Sequence, residues 1–270
     1  MRTEAPQPVP GRPALLLPED RHHPAEIAIA DLHLGLGALR SEGFGFAETQ
    51  ARRMVEELLG AASETGAAGV VVVGDAKHPL VGAPAPVGRM LFEFFSTLLG
   101  EQLRVRLVLG NHDVGIARHL PREVELLPAS GWRRGPLGLF HGHKWPSPRV
   151  LRSERLIAGH LHPGFRLAPG HRSAGGKERC WVRVDLAPPR SRRRSRHAIT
   201  ARELLVLPAF NPLSGIEALN KGPPAEGRTF LVHRFLAPGV ARAYLLDGTD
   251  LGRLPSWAAT RPRARAPRAP

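Results

Sequence analysis

The chain reads as an α/β protein in which a helix-covered parallel β-sheet is followed by a second, mixed sheet packed on it. Two observations predict this. Up to residue 109, short apolar runs alternate with longer stretches of helical periodicity, the sequence mark of βαβ units. Past residue 120 the helical signal fades, and short strand-like runs are divided by Gly, Pro and Asn.

Taken in order, Pro13 to Leu17 and Glu26 to Ala30 predict two strands around a polar turn that holds Asp20, Arg21, His22 and His23. Phe46 to Thr65 has Met54, Val55, Leu58, Leu59 and Ala62 near one face, the pattern of an amphipathic helix closed by Gly66. Val70 to Val73, four valines between glycines, suits a strand buried on both faces. A second helix is expected over Val87 to Leu99, stopped by Gly100, and a third strand over Arg104 to Leu109. Later strand candidates are Glu123 to Leu127, Leu137 to Phe140, Leu156 to Ala158, Trp181 to Leu186, Leu204 to Leu207, Thr229 to Val232 and Val240 to Leu245, with one helix around Pro148 to Arg155.

At 270 residues, 42% of them hydrophobic, the chain can bury one large core. The expected organisation is a flexible N-terminus over 1–12, a single domain over 13–254 carrying a basic loop near 187–200, and a disordered basic tail over 255–270. No run of eighteen apolar residues predicts a membrane span, and the proline-rich start carries no apolar core of a signal peptide. Cys180 is the only cysteine, which excludes an intrachain disulfide and argues against thiolate metal chemistry. A cytoplasmic protein without a membrane partner is therefore expected.

The formal charge of +14 suggests nucleic acid until its placement is considered. Arg190, Arg192, Arg193, Arg194 and Arg196 form one run, and Arg261, Arg263, Arg265 and Arg268 decorate the tail. Taking those nine from +14 leaves +5 for everything else. Neither stretch interleaves aromatics with its arginines, so neither reads as a platform for stacked bases. A solvated loop and a disordered tail account for both somewhat better than a phosphate-tracking patch does.

The informative pattern is a set of five short segments at the ends of expected strands: Asp31-Leu32-His33, Gly74-Asp75, Gly110-Asn111-His112-Asp113, His141-Gly142-His143 and Gly159-His160-Leu161-His162. Each alone has a bland reading, as a surface turn, a helix N-cap or a polar loop. Together they put carboxylates, an amide and imidazoles where loops beyond the carboxyl ends of neighbouring strands converge. Oxygen plus imidazole ligands suit Mn²⁺, Fe or Zn²⁺ better than Ca²⁺. Two such cations sharing Asp75 would clamp the attacking and leaving oxygens of a phosphoryl displacement.

In this order the segments resemble the calcineurin-like metallophosphoesterases, from Ile27 to about Pro163. The resemblance implies a four-layer αββα sandwich of two mixed sheets flanked by helices, with two divalent metals, Mn²⁺ expected first and Fe or Zn²⁺ as alternatives. It places one metal on Asp31, His33, Asp75 and His162 and the other on Asp75, Asn111, His141 and His160. It makes His112 the group facing substrate, oriented by Asp113, with His143 as a neighbouring or substrate contact. Ile29-Ala30-Asp31-Leu32-His33-Leu34-Gly35, Asp75-Ala76-Lys77-His78 and Leu207-Pro208-Ala209-Phe210-Asn211-Pro212-Leu213 resemble an SbcD-related branch, in which a histidine at the position of His78 touches the substrate phosphate. Lys77 stands where the nuclease branch commonly has an apolar residue, and would reach either a substrate phosphate or an acidic neighbour.

The expected activity is that of a metal-dependent phosphodiesterase or nuclease on DNA or RNA, by attack of a metal-bridging hydroxide on phosphorus. Hydrolysis of small nucleotides or other small phosphodiesters is the alternative enzyme reading, and a nucleic-acid-binding scaffold the non-enzymatic one. The chain lacks the long C-terminal cap of the nuclease branch, which weighs against processive end resection. The resemblance also suggests a homodimer.

Overall fold

The structure, a computed structural model, describes residues 4–38, 43–167, 176–186, 199–220 and 240–254. Its first sheet runs in the order β1 (Gln7–Pro8), β2 (Leu15–Leu17), β3 (Glu26–Ile29), β4 (Gly69–Val73), β5 (Arg104–Val108) and β6 (Glu125–Leu127). The first three strands pair antiparallel, and β3 to β6 are parallel. Helices α1 (Gly43–Thr65) and α2 (Ala85–Gly100) make the crossovers on either side of β4.

Period-two alternation sorts the side chains of this sheet between two cores. Ile27, Ile29, Val70, Val72, Val105 and Leu107 pack with Leu58 and Ala61 of α1 and Phe94, Phe95 and Leu98 of α2. Ala28, Ala30, Val71, Val73 and Val108 point the other way, onto Leu137, Leu139, Ile157 and Trp181 of the second sheet. Each fully buried valine contributes roughly 1.5–3 kcal/mol relative to exposure, so the four-valine run is a principal anchor of the sheet.

The second sheet comprises β7 (Trp132–Arg134), β8 (Leu137–Phe140), β9 (Arg155–Ala158), β10 (Pro163–Arg166), β11 (Lys177–Asp185), β12 (Glu203–Val206), β13 (Glu217–Ala218), β14 (Val240–Leu245) and β15 (Asp250–Arg253). Its main path is β13-β10-β11-β12-β9-β8-β7, with β14 and β15 extending from β11. Pairs β8–β9, β9–β12 and β10–β13 are parallel and the others antiparallel, so this sheet is mixed. The single-turn helix α3 (Pro148–Leu151) lays Val150 and Leu151 on its outer face.

The protein is thus an α/β sandwich of two mixed sheets, as expected. The outer layer on the first sheet is complete, whereas among the described residues the helical cover of the second sheet is α3 alone. Of the N-terminal segment 1–12, residues 4–12 are described. Gln7–Pro8 pairs with β2 at the sheet edge, where proline is tolerated; Val9 is buried, and Arg12 donates to the Glu57 carbonyl at 2.6 Å. Thr229 to Val232, the loop at 187–198 and the tail at 255–270 lie outside the described residues.

At the end of the sandwich where β3 begins, Glu26 is fully buried between cations. Arg134 Nε donates to its Oε2 at 2.9 Å and Nη2 to the Pro24 carbonyl at 2.6 Å, while Arg106 bonds Oε1. Arg106 also bonds Glu125 at 2.7 Å and lies over the Trp132 ring. Because β7 carries Arg134 while β3 and β5 carry Glu26 and Arg106, this network ties the two sheets together. Replacing Arg134 by Leu leaves Glu26 in a dry site with one cation fewer. Unfolding free energy from urea titration should fall by about 3–5 kcal/mol; a loss under about 1 kcal/mol would mean the network carries little structural weight.

Candidate metal centre

The loops that leave β3, β4, β5, β8 and β9 meet at the carboxyl ends of the strands. Backbone hydrogen bonds continue the β3–β4 pairing beyond the strands: Asp31 N–H to Gly74 O (3.0 Å), His33 N–H to Asp75 O (2.9 Å) and Leu34 N–H to Ala76 O (2.8 Å). Gly159 N–H donates to His141 O at 3.0 Å and links the other two loops. Two glycines are needed for this close approach. A Cβ on Gly74 would fall 2.2 Å from His141 Nδ1, and one on Gly110 2.2 Å from Asp75 Oδ1. Asp31, His33, Asp75, His160 and His162 all adopt left-handed φ between 42° and 72°, and Gln102 is the sole other non-glycine to do so among the described residues. Such conformations cost of order 1–3 kcal/mol each and persist where the surroundings enforce them.

The side chains on these turns crowd together. Asp75 Oδ2 lies 3.1 Å from His141 Nε2, 3.8 Å from His33 Nε2 and 3.9 Å from His112 Nε2. His162 Nε2 lies 3.3 Å from Asp31 Oδ1 and 3.2 Å from His33 Nε2. Two of these rings have their tautomer set from behind. His141 Nδ1 donates to the Val73 carbonyl at 2.9 Å, and His162 Nδ1 to the Gly215 carbonyl at 3.0 Å. Each therefore turns Nε2 toward a carboxylate, as a lone pair when the ring is neutral.

Acceptors facing acceptors at these distances repel unless positive charge lies between them. Asn111 Oδ1 and His141 Nε2 are buried without a hydrogen bond of acceptable geometry, as expected of atoms whose partner is a cation. Asp31, His33 and His162 hold their ligand atoms within 4.8 Å of one another, and so do Asp75, His141 and His160. The donor set, oxygen plus imidazole with the far nitrogens fixed by carbonyls, fits divalent metal ions.

Electrostatics point the same way. Burial lowers His33 and His160 to about 3 and His143 to about 4, so all three are neutral imidazoles near pH 7. Burial opposes ionisation of Asp31 and Asp75, but the histidines beside them outweigh it and hold both carboxyls below the usual range. Burial likewise opposes charge on His141, yet Asp75 and Asp31 outweigh it and push the imidazole up to about 9. The site favours a positive charge next to Asp75, whether a proton or a metal.

Each remaining residue singled out from the sequence has a definite position. His112 sits beside Asp75, its N–H on Asp75 Oδ1 at 2.9 Å and its Nδ1 on the His78 carbonyl, which leaves Nε2 facing the cluster. The expected contact between Asp113 and His112 is absent. Asp113 instead accepts backbone N–H bonds from Gly110 (2.8 Å), Asp75 (2.9 Å), Ala76 (2.9 Å) and Lys77 (3.3 Å), so it pins two loops together and leaves the His112 ring to the His78 carbonyl. Lys77, expected at a substrate phosphate, is buried, with Nζ donating to the carbonyls of Pro79 and Leu80; it braces the turn next to His78. The His78 ring stacks on His112 at 5.9 Å, and His143 lies 5.4 Å from His141 and 6.2 Å from His160. The supporting carbonyls of Val73, His78 and Gly215 escape a reading of side-chain motifs, because any residue supplies a carbonyl.

The structure is similar to that of the Pseudomonas putida nuclease MPE, with a TM-score of 0.53 and 19% identity over 90% of this chain and 98% of that one. At this identity the likeness shows the fold. It is also similar to YfcE, a phosphoesterase from E. coli, with 15% identity over 86% of this chain and 98% of that one, but the TM-score of 0.36 carries no argument. No protein-family model matches the chain, and no curated relative does. No helix among the described residues is long and apolar enough to cross a membrane.

The raised His141 pKa has a measurable consequence in chelator. The folded state holds a proton that the unfolded chain releases near pH 6.5, so the linked stability is fully present below about pH 6.5 and is lost as pH rises through about 9. Urea midpoints in EDTA should fall across that window, and saturating Mn²⁺ should flatten the profile. A profile that is flat in EDTA would contradict the charge balance described for Asp75 and His141.

Proposed function

We propose that the protein is a dinuclear-metal-dependent phosphodiesterase that acts on nucleic acid, within the SbcD-related branch of the metallophosphoesterases. One observation carries the metal-dependent reading: Asp75 Oδ2 stands among His141, His33 and His112 at 3.1–3.9 Å, and no lysine or arginine among the described residues pairs with it. One cation would be held by Asp31, His33, Asp75 and His162, and the other by Asp75, Asn111, His141 and His160. When bound, such a pair generates a nucleophile from water at neutral pH and offsets charge on the phosphoryl oxygens.

The chain's own residues supply the rest. His112 has Nδ1 committed to the His78 carbonyl, so Nε2 is its working nitrogen. In the imidazolium form that nitrogen donates to a phosphate oxygen and then passes its proton to the departing alkoxide. His78, stacked behind His112, adds a second donor toward the phosphate. Asp113 keeps the loops of Asp75 and His112 in register through its four backbone bonds and needs no contact with substrate.

Nucleic acid as substrate is supported by the fold shared with a nuclease, and Mn²⁺ as metal by the mixed oxygen and imidazole donors. The test is a panel of single-stranded DNA, duplex DNA, RNA, cyclic dinucleotides and a chromogenic diester, offered to Mn²⁺-loaded protein. Cleavage of the polymers is expected. Turnover restricted to the small diesters would replace nucleic acid by a small substrate, and no hydrolysis of any diester would sink the enzymatic reading.

Within an active preparation, His112→Asn should lower kcat by about 10²–10⁴-fold with bound metal unchanged. Asp75→Asn should lose metal and activity together. Metal loss in His112→Asn would contradict the division of roles.

A further inference from the structure

The segment from Leu207 to Gly215 leaves β12 and crosses to the ends of the first sheet's strands. Phe210 N–H donates to the Ala30 carbonyl at 2.8 Å, and Asn211 N–H reaches the Asp31 carbonyl at 3.4 Å. The Asn211 side chain, 2% exposed, donates through Nδ2 to the Leu32 carbonyl at 2.8 Å and accepts the Leu213 N–H at 2.9 Å. Four residues further on, the Gly215 carbonyl receives His162 Nδ1 at 3.0 Å. This one segment therefore braces Asp31 and His33 from between, through Leu32, and His162 from behind.

The other half of the centre is braced elsewhere. His141 is held by the Val73 carbonyl, and Asp75 by the Asp113 carboxylate on its backbone N–H. The two halves also differ in what would move if a brace were lost. Leu32 lies between two left-handed residues, Asp31 at φ 59° and His33 at φ 42°. Without the Asn211 amide its buried carbonyl loses a donor, and the strained turn is free to relax. Relaxation there displaces Asp31 and His33 together, whereas His141 and Asp75 keep the Val73 and Asp113 braces; the links between the halves are the His160 N–H on the Asp31 carboxylate at 3.0 Å and the His33 N–H on the Asp75 carbonyl at 2.9 Å.

We propose that Asn211 is a positioning residue that sets the cation affinity of the Asp31–His33–His162 half of the centre and acts much less on the Asp75–His141–His160 half. The assignment rests on the two-cation reading of the site, and its test separates the two. Full-length wild-type and Asn211→Ala proteins are titrated with Mn²⁺ by equilibrium dialysis, with metal analysis and EPR of the bound ion. The wild type should take up two Mn²⁺ per chain with a spin-coupled spectrum. The variant should keep one Mn²⁺ close to wild-type affinity and bind the other about 10–100-fold more weakly, showing a mononuclear six-line spectrum at the concentrations that couple the wild type.

Two dissociation constants within about twofold of wild type, or an equal weakening of both, would overturn the assignment. A wild type that takes up no Mn²⁺ would overturn the two-cation reading and the assignment with it. Circular dichroism checks that Asn211→Ala is folded. If it is not, Asn211→Ser, which retains an oxygen for the Leu213 N–H but is too short to reach the Leu32 carbonyl, is read by the same criteria.

Discussion

The structure is organised around mutual repulsion. Carboxylate oxygens of Asp31 and Asp75 and ring nitrogens of four histidines meet within about 3–4 Å of one another in a region largely closed to water. No fold assembles such a group without a compensating charge or a rigid frame. The frame consists of five candidate ligand residues in left-handed backbone, on turns that include a pair zipped by hydrogen bonds prolonging the β3–β4 pairing. Asp75 and Asp31 favour such a charge at His141, whose imidazole they push up to about 9, and the donor set fits divalent cations in the same role.

Rigidity at that end depends on the rest of the sandwich. The alternating valines of β4 fasten the sheet to α1 and α2 on one side and to the second sheet on the other, so the loops after β3, β4, β8 and β9 keep a common position. At the opposite end, the buried pairing of Glu26 with Arg134 and Arg106 fixes the two sheets to each other. Between them, Asp113 converts one buried carboxylate into four backbone restraints. Strain at the centre is thus held by packing and hydrogen bonds spread over both sheets.

Much of this is legible in the sequence, for identifiable reasons. The β3-α1-β4-α2-β5 run shows because apolar period and burial coincide there, and the ligand turns show because carboxylates and histidines directly follow apolar strands. Elements built against the usual meaning of a residue stay hidden. β7 contains Arg134, which reads as surface and is buried against Glu26, and β10 opens on Pro163, which reads as a loop. Strands as short as β1 and β13 carry no period at all. In the centre, the motifs mark Lys77 and Asp113 as special but suggest contacts that the structure replaces, since chemistry alone cannot tell a phosphate from a backbone carbonyl or an imidazole from a backbone N–H. Asn211 stands in a motif without a role, because what it does is hold a turn by its carbonyl.

The most direct measurement of the central claim is an anomalous difference map at the manganese edge from crystals grown with Mn²⁺. The expected result is two peaks about 3.5–4 Å apart, both within bonding distance of the Asp75 carboxylate. A single peak, or none beside Asp75 in a crystal that holds Mn²⁺ elsewhere, would contradict the account.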